Sequence, residues 1–88
     1  MRFGIIALPA NAAALADTAM LSERLGFDSL YAADHLFAFV ALAYPFLDGW
    51  ATLGGWAQLT TKTRLGVFVA NLAWRDPVLM ARSVIALD

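Results

Sequence analysis

Residues 27–35 read FDSLYAADH, and this stretch decides how the rest of the chain is interpreted. Its first seven residues are mostly apolar and of strand length, which predicts a short buried strand. The stretch ends in two titratable residues, Asp34 and His35, and His35 is the only histidine in the chain. In α/β proteins, ligands bind at the carboxyl ends of the strands. Asp34 and His35 are therefore the first candidates for catalytic chemistry.

Two further apolar runs of strand length lie on either side of this stretch. Residues 3–8 (FGIIAL) and 64–70 (RLGVFVA) lack the alternation of a half-buried strand, and such runs are typical of parallel sheets. Segments of helical character follow the strands at residues 12–25, at about 49–61 and from 77 to about 87. Strand and helix thus alternate three times, which predicts three parallel strands joined by right-handed crossovers.

The residues at the ends of the helical segments support these assignments. Asn11, Asp48 and Asp76 are good N-caps, and Pro77 suits the first helical position. We therefore assign Asp48 and Asp76 to helix capping and not to catalysis. Gly26 follows the first helix, where a left-handed conformation usually ends the helix.

The helical segments also carry faces suited to packing on a sheet. The residues predicted to be buried are Leu15, Ala19, Ser22 and Leu25 in the first helix, and Trp50, Leu53, Ala57 and Thr60 in the second. Asp17, Glu23 and Arg24 are predicted to face water. Gly54 and Gly55 weaken the second helix by about 1 kcal/mol each, and close approach of a neighbouring element would explain them.

The composition is more apolar than so short a chain accommodates. Of the 88 residues, 61% are hydrophobic and 15% are charged, against about 45–50% and about 25% in typical domains. Because a chain of this length buries only about 60% of its unfolded surface, we expect it to assemble or to be part of something larger. Residues 36–46 (LFAFVALAYPF) are predicted to form a long loop or short helix that covers a pocket or a partner surface.

Several classes of protein are disfavoured by the sequence. The uncharged runs are shorter than the ~20 residues of a membrane-spanning helix, and no secretory signal is recognised. The absence of cysteine excludes disulfides and thiolate metal sites, and we predict no metal site. A net charge of -1 argues against nucleic-acid binding. We therefore expect a single cytoplasmic domain.

Two common folds repeat the strand–helix unit. A dinucleotide-binding fold would show a glycine-rich turn after the first strand, whereas this turn reads Pro9-Ala10-Asn11. A (β/α)8 barrel needs no such turn, because its site is built from loops at the carboxyl ends of several strands. In a barrel, Pro9, Asp34, His35 and Asn71 would lie on one rim.

The segments MRFGIIALP, ERLGFDSLYAADHLF and FLDGWATLGGWAQLTTKTRLGVFVANLAWRDPVLMAR, in this order and spacing, resemble the opening of a luciferase-like monooxygenase. The resemblance covers nearly the whole chain, and LGFDSLYAADH, RLG and WRDP are its most specific parts. It implies an α/β fold of three consecutive βα units of a TIM (β/α)8 barrel. Residues 1–88 would then be an N-terminal partial domain, truncated after the third helix.

The same resemblance implies an oxidoreductase or monooxygenase that uses FMN or the deazaflavin coenzyme F-420. Such an enzyme transfers hydride to, or activates oxygen on, a small organic substrate. His35 would lie near the reactive ring, where a histidine can exchange protons near neutral pH. Asp34 would orient His35 or contact the ring, although an aspartate at this position is equally suited to capping the following turn.

By the resemblance, the end of the third strand and the residue that follows it support the cofactor ring through Phe68, Val69, Ala70 and Asn71. The Phe68–Val69 bond matches the position of a cis bond in the family. Asn71 would contribute polar groups at the rim, or else form an ordinary loop turn. Phe68 is larger than the residue expected beside a ring.

The remaining aromatic and basic residues are interpreted structurally. Trp50 and Trp56 are predicted to pack, and Trp74 and Arg75 to close a loop, meet a partner or anchor the surface. The expected partners are a small-molecule substrate and either further copies of the chain or the remainder of the barrel. The alternative function is a non-catalytic (βα)3 module that assembles through its open sheet edges.

Overall fold

The computed structural model describes residues 1–35 and 45–88. Strands and helices alternate in it as predicted. The strands are β1 (Gly4–Ala7), β2 (Ser29–Ala32) and β3 (Arg64–Val67), and the helices are α1 (Ala12–Arg24), α2 (Gly49–Leu59) and α3 (Pro77–Leu87). The prediction for residues 36–46 lies largely outside the described residues.

The three strands form one parallel sheet in the order β1-β2-β3. In the register of the sheet, Ile5 pairs with Leu30, and Leu30 pairs with Leu65. These three residues belong to the side of the sheet that packs on the core, to which α1 and α2 contribute Ala19, Leu53 and Trp56. A sequential strand order with the helices on one face is the arrangement of a (β/α) barrel, and it confirms the predicted fold class.

The predicted starts of the helices are confirmed by the caps, whereas α1 and α2 end at Arg24 and Leu59, slightly earlier than predicted. Asn11 Oδ1 accepts a hydrogen bond from the Ala14 N–H at 2.9 Å, and Asp48 Oδ2 accepts one from the Ala51 N–H at 2.9 Å. Asp76 Oδ1 accepts from the N–H groups of residues 78 and 79. Gly26 has a φ of 81°, the left-handed conformation expected after α1.

The core is centred on Trp56, which is completely buried. Its indole Nε1–H donates to the Leu15 carbonyl at 3.0 Å, which ties α2 to α1. The expectation that Leu25 belongs to the buried face of α1 is wrong, because Leu25 is 64% exposed. Leu25 is the C-cap of α1 and its N–H still donates to the Leu21 carbonyl, so its exposure shows that the packed face of the helix stops at Ser22.

Gly55 shows why α2 tolerates a glycine in its middle. A Cβ atom at position 55 would lie 2.9 Å from Leu15 Cδ2, closer than carbon atoms normally approach. At Gly54 a Cβ atom would meet nothing within 4 Å. The close approach expected from the sequence therefore holds for Gly55 and not for Gly54.

Glu23 does more than face water at the end of α1. Its Oε1 atom accepts hydrogen bonds from three consecutive backbone N–H groups, those of Thr61, Lys62 and Thr63. These bonds, that of Lys62 first, hold the pKa of Glu23 below its ordinary value. The side chain thereby fixes the turn that leads into β3.

The second face of the sheet is open among the described residues. Ile6 and Phe68 are 52% and 56% exposed, and the Tyr31 ring lies edge-on to Phe68 with centroids 6.1 Å apart. Gly4 and Gly66 leave room for this tyrosine, since a Cβ on either would come within 3.0 Å of its ring. In a closed barrel, this face would be the interior.

No helix in the described ranges is long and apolar enough to cross a membrane.

Candidate functional site at the carboxyl ends of the strands

The carboxyl ends of the three strands carry the predicted site residues. Pro9 is buried just after β1, and its carbonyl accepts a hydrogen bond from the Leu47 N–H at 2.9 Å. Residues 45–48, which lead into α2, therefore lie against the tip of β1. His35 is partly buried just beyond β2, and Asn71 is partly buried just beyond β3. The strand tips and the start of α2 form one rim.

Asp34 is the most buried carboxylate of this rim, with only 1% of its surface exposed. Its Oδ2 atom accepts a hydrogen bond from the Asn71 N–H at 2.8 Å. Arg75 donates to it from two nitrogens, Nε at 2.9 Å and Nη2 at 2.7 Å. A buried charge needs partners of this kind, and both of them come from the loop that follows β3.

Arg75 also connects this carboxylate to the start of α2. Its Nη2 atom lies 2.6 Å from Asp48 Oδ1, while the other oxygen of Asp48 caps the helix. The Arg75 guanidinium carbon lies 5.9 Å from the centre of the Trp50 ring, within the range of a cation–π contact. One guanidinium thus joins the tip of β2, the loop after β3 and the first turn of α2.

The electrostatics of the rim keep Asp34 ionised. Burial by itself raises the pKa of Asp34, but the Arg75 guanidinium and the Asn71 N–H outweigh it and hold the pKa below its ordinary value. The same contact, with Asp34 as the main cause, raises the pKa of Arg75. The buried Trp50 Nε1 makes no hydrogen bond of good geometry, yet it lies near enough to Asp34 to favour the carboxylate.

The residues after β3 present an apolar surface at this rim. Val69 is 59% exposed and Ala70 is exposed as well. The Phe68–Val69 peptide bond is cis, as the resemblance implies. The Phe68 side chain lies on the open face of the sheet against Tyr31, and with that ring it lines a concavity of about 860 Å³ that reaches the amino ends of the strands. The apolar surface at the rim is therefore formed by Val69 and Ala70.

Asn71 forms the loop turn that is one of the two roles left open by the sequence analysis. Its Oδ1 atom accepts a hydrogen bond from the Ala73 N–H at 2.9 Å, which makes the predicted loop turn. Its backbone N–H is the donor to Asp34. The turn uses the amide oxygen of Asn71 and does not involve its Nδ2 donors.

The sequence analysis missed the roles of Arg75 and Asp48 at this site. Arg75 lies 41 positions from Asp34 along the chain, and no local pattern reports a contact of that length. Burial of Asp34 at a strand end was itself a signal, because a buried carboxylate requires a cation or several donors. Arg75, in the specific WRDP segment, was a suitable candidate.

Within residues 1–35 and 45–88 there is no group of three His, Asp or Glu side chains placed to hold a metal ion. The polar groups of the described rim include His35, the Asn71 amide and the Asp34 carboxylate, whose charge is balanced by Arg75.

The fold and rim place the chain in a definite class of proteins. Three sequential βα units, helices on one face of the sheet and polar groups at the carboxyl ends of the strands define a protein of the (β/α)-barrel type. The chain belongs to the luciferase-like monooxygenase family, whose family model matches residues 1–88. This match confirms the family suggested by the sequence segments, and the family is one of oxidoreductases and monooxygenases.

Proposed function

We propose that the chain forms the part of an oxidoreductase that holds the ring of FMN or of a deazaflavin coenzyme, for reaction with a small organic substrate. The observation that carries this proposal is the exposed apolar surface of Val69 and Ala70. This surface lies on the same rim as His35 and is followed by Asn71, whose N–H donates to the buried Asp34.

The residues of the rim fit the ring end of such a cofactor. A flavin or deazaflavin ring is a flat, largely apolar body with a polar edge, and Val69 and Ala70 offer apolar surface beside the amide donors of Asn71. The phosphate end has no comparable partner among the described rim residues, because Arg75 is already paired with Asp34 and Asp48. We therefore assign only ring binding to this rim.

The mechanism proposed for the chain is one of support and proton exchange. A bound flavin or deazaflavin supplies hydride transfer, and a flavin can also activate oxygen. The backbone at Val69–Ala70 would support one face of the ring and keep water from it. Asn71 would donate a hydrogen bond from Nδ2 to the polar edge, and His35 would hold or deliver a proton as the ring changes its protonation state.

His35→Ala and His35→Gln test the catalytic part of this proposal, in a form of the protein that turns over with its cofactor. The glutamine keeps a hydrogen-bonding side chain of similar reach but cannot exchange a proton near neutral pH. We expect both variants to lower kcat by about 10²- to 10⁴-fold while Tm changes by only a few degrees. Unchanged turnover in either variant would remove His35 from the mechanism.

A second function is favoured by the open face of the sheet. Ile6 and Phe68 are more than half exposed, and apolar surface of this kind is typical of a face covered by other polypeptide. We propose that this face is covered in the working protein, by further strands of a barrel or by further copies of the chain. If the chain is a non-catalytic module, the open face of the sheet should be buried in an assembly that binds no cofactor.

A further inference from the structure

We infer that Asp34 and Arg75 form a positioning clamp that fixes the backbone of residues 69–71 relative to His35. This inference rests on the proposed cofactor site and assigns Asp34 a different role from acid/base catalysis or ring contact. The clamp is defined as the bidentate Asp34–Arg75 ion pair together with the Asn71 N–H that binds Asp34. Asp48 contacts Arg75 from outside the clamp.

The directions of the hydrogen bonds show what the clamp holds. Asp34 lies two residues beyond the end of β2 and immediately precedes His35. Its carboxylate therefore belongs to the tip of β2. Its hydrogen-bond donors of good geometry, the Asn71 N–H and the Arg75 guanidinium, belong to the loop after β3. The clamp therefore sets the spacing between the proton-exchanging side chain and the backbone proposed to support the ring.

The burial of Asp34 makes this spacing well defined. Asp34 is 1% exposed and accepts from both Nε and Nη2 of Arg75. Bidentate pairing fixes orientation as well as distance, and the planar fork of arginine cannot be reproduced by lysine. A carboxylate held in this way is a poor proton donor, which is why a positioning role fits its surroundings better than acid catalysis.

Asp48 supplies the natural control within the same cluster. It is 55% exposed and binds only Nη2 of Arg75. Asp48→Asn keeps an acceptor for the α2 cap, because asparagine is as good an N-cap as aspartate, and it removes the charge while leaving the contact between Arg75 and Asp34 intact. A loss specific to the clamp should therefore appear in Asp34→Asn and Arg75→Met and not in Asp48→Asn.

The test measures three quantities for these variants and for Arg75→Lys. They are the dissociation constants for FMN and for the deazaflavin coenzyme, the hydrogen-exchange rate of the residue 71 amide, and the midpoint of unfolding. We expect Asp34→Asn and Arg75→Met to weaken cofactor binding by about tenfold or more and to speed exchange at residue 71. Arg75→Lys should recover only part of the loss, and Asp48→Asn should stay within about twofold of the parent.

The three quantities separate failure of the clamp from failure of the proposed function. If the parent binds neither cofactor, the cofactor site is wrong, and amide exchange alone then decides the clamp. Unchanged exchange at residue 71 and unchanged affinity in folded Asp34→Asn and Arg75→Met would overturn the inference. A fall in unfolding midpoint with unchanged affinity would reduce the cluster to a structural role. The parent itself decides the matter if variants fail to fold: its residue 71 amide should exchange as slowly as the β2 amides, and fast exchange there would contradict the clamp.

Discussion

The two adjacent glycines of α2 give a stability prediction with an internal control. In a helix interior, alanine is more favourable than glycine by about 0.8–1.0 kcal/mol. At Gly54 the added methyl group meets nothing within 4 Å, so Gly54→Ala should stabilise the fold by roughly this amount. At Gly55 the same gain is opposed by an overlap with the methyl groups of Leu15, at 2.9 and 3.1 Å.

The size of the difference follows from the packing of Leu15. Carbon atoms attract best at about 3.5–4.0 Å, and Leu15 packs against the buried core cluster, which limits how far it can move. Overpacking of this kind costs about 1–3 kcal/mol. Gly55→Ala should therefore range from neutral to about 2 kcal/mol destabilising, and it should be less stable than Gly54→Ala by about 1–3 kcal/mol.

Urea and thermal unfolding followed by circular dichroism measure this difference. All samples should have one protein concentration, because assembly makes Tm depend on concentration. In a chain of this size, 1 kcal/mol corresponds to about 4–8 °C in Tm. In a Leu15→Ala background, Gly55→Ala should become favourable, because the overlapping methyl groups are gone. If Gly55→Ala proves as stabilising as Gly54→Ala in the parent, the close approach of α1 and α2 is refuted.

Three further predictions concern the core, the rim and the open face. Trp56→Ala should cost about 3–5 kcal/mol in the free energy of unfolding, whereas Trp74→Ala, at a residue 41% exposed, should cost far less; equal losses would contradict the placement of the core. Because the pKa of Asp34 is lower in the folded than in the unfolded chain, its stabilisation is complete above the unfolded value of about 3.9 and is lost as pH falls through the folded pKa. In Asp34→Asn, the free energy of unfolding should therefore fall less steeply as the pH is lowered into the acid range. An unchanged pH dependence would argue against the pairing of Asp34 with Arg75. The isolated 88-residue chain should associate through its open sheet, and Ile6→Ser with Phe68→Ser should shift sedimentation toward monomer; a parent that is monomeric and melts cooperatively would contradict this.

Local sequence signals accounted for most of the fold. Asn11, Asp48 and Asp76 mark helix starts because an N-cap acts within three residues of itself, and Gly26 marks a helix end for a similar reason. The strands were predicted longer than they are: the four residues Gly4–Ala7, for example, are regular within the predicted run 3–8. An apolar run indicates that a segment is buried, but it does not indicate where the hydrogen bonding between neighbouring strands ends.

The candidate site was predictable only in part. The strand-end position of Asp34 and His35 followed from the sheet pattern, and the family resemblance added residues 68–71. The contact of Asp34 with Arg75 did not follow, because it depends on how the loop after β3 folds back over the tip of β2. Glu23 shows the same limit, since its three amide partners lie 38 to 40 positions away. The sequence predicts a capping role for Asp48 and a solvent-exposed position for Glu23, and the structure adds long-range contacts to both.

The central claim is that the carboxyl-end rim of the sheet binds the cofactor ring. Amide chemical shifts test this claim most directly. The isotopically labelled chain is assembled with the strands that cover its open face, and it is titrated with FMN and, separately, with the deazaflavin coenzyme. We predict that the amides of His35 and of residues 69–71 shift together and saturate with one of the two cofactors. Saturating shifts confined to the amino ends of the strands, around Lys62 and Arg64, or no shift with either cofactor, would contradict the account.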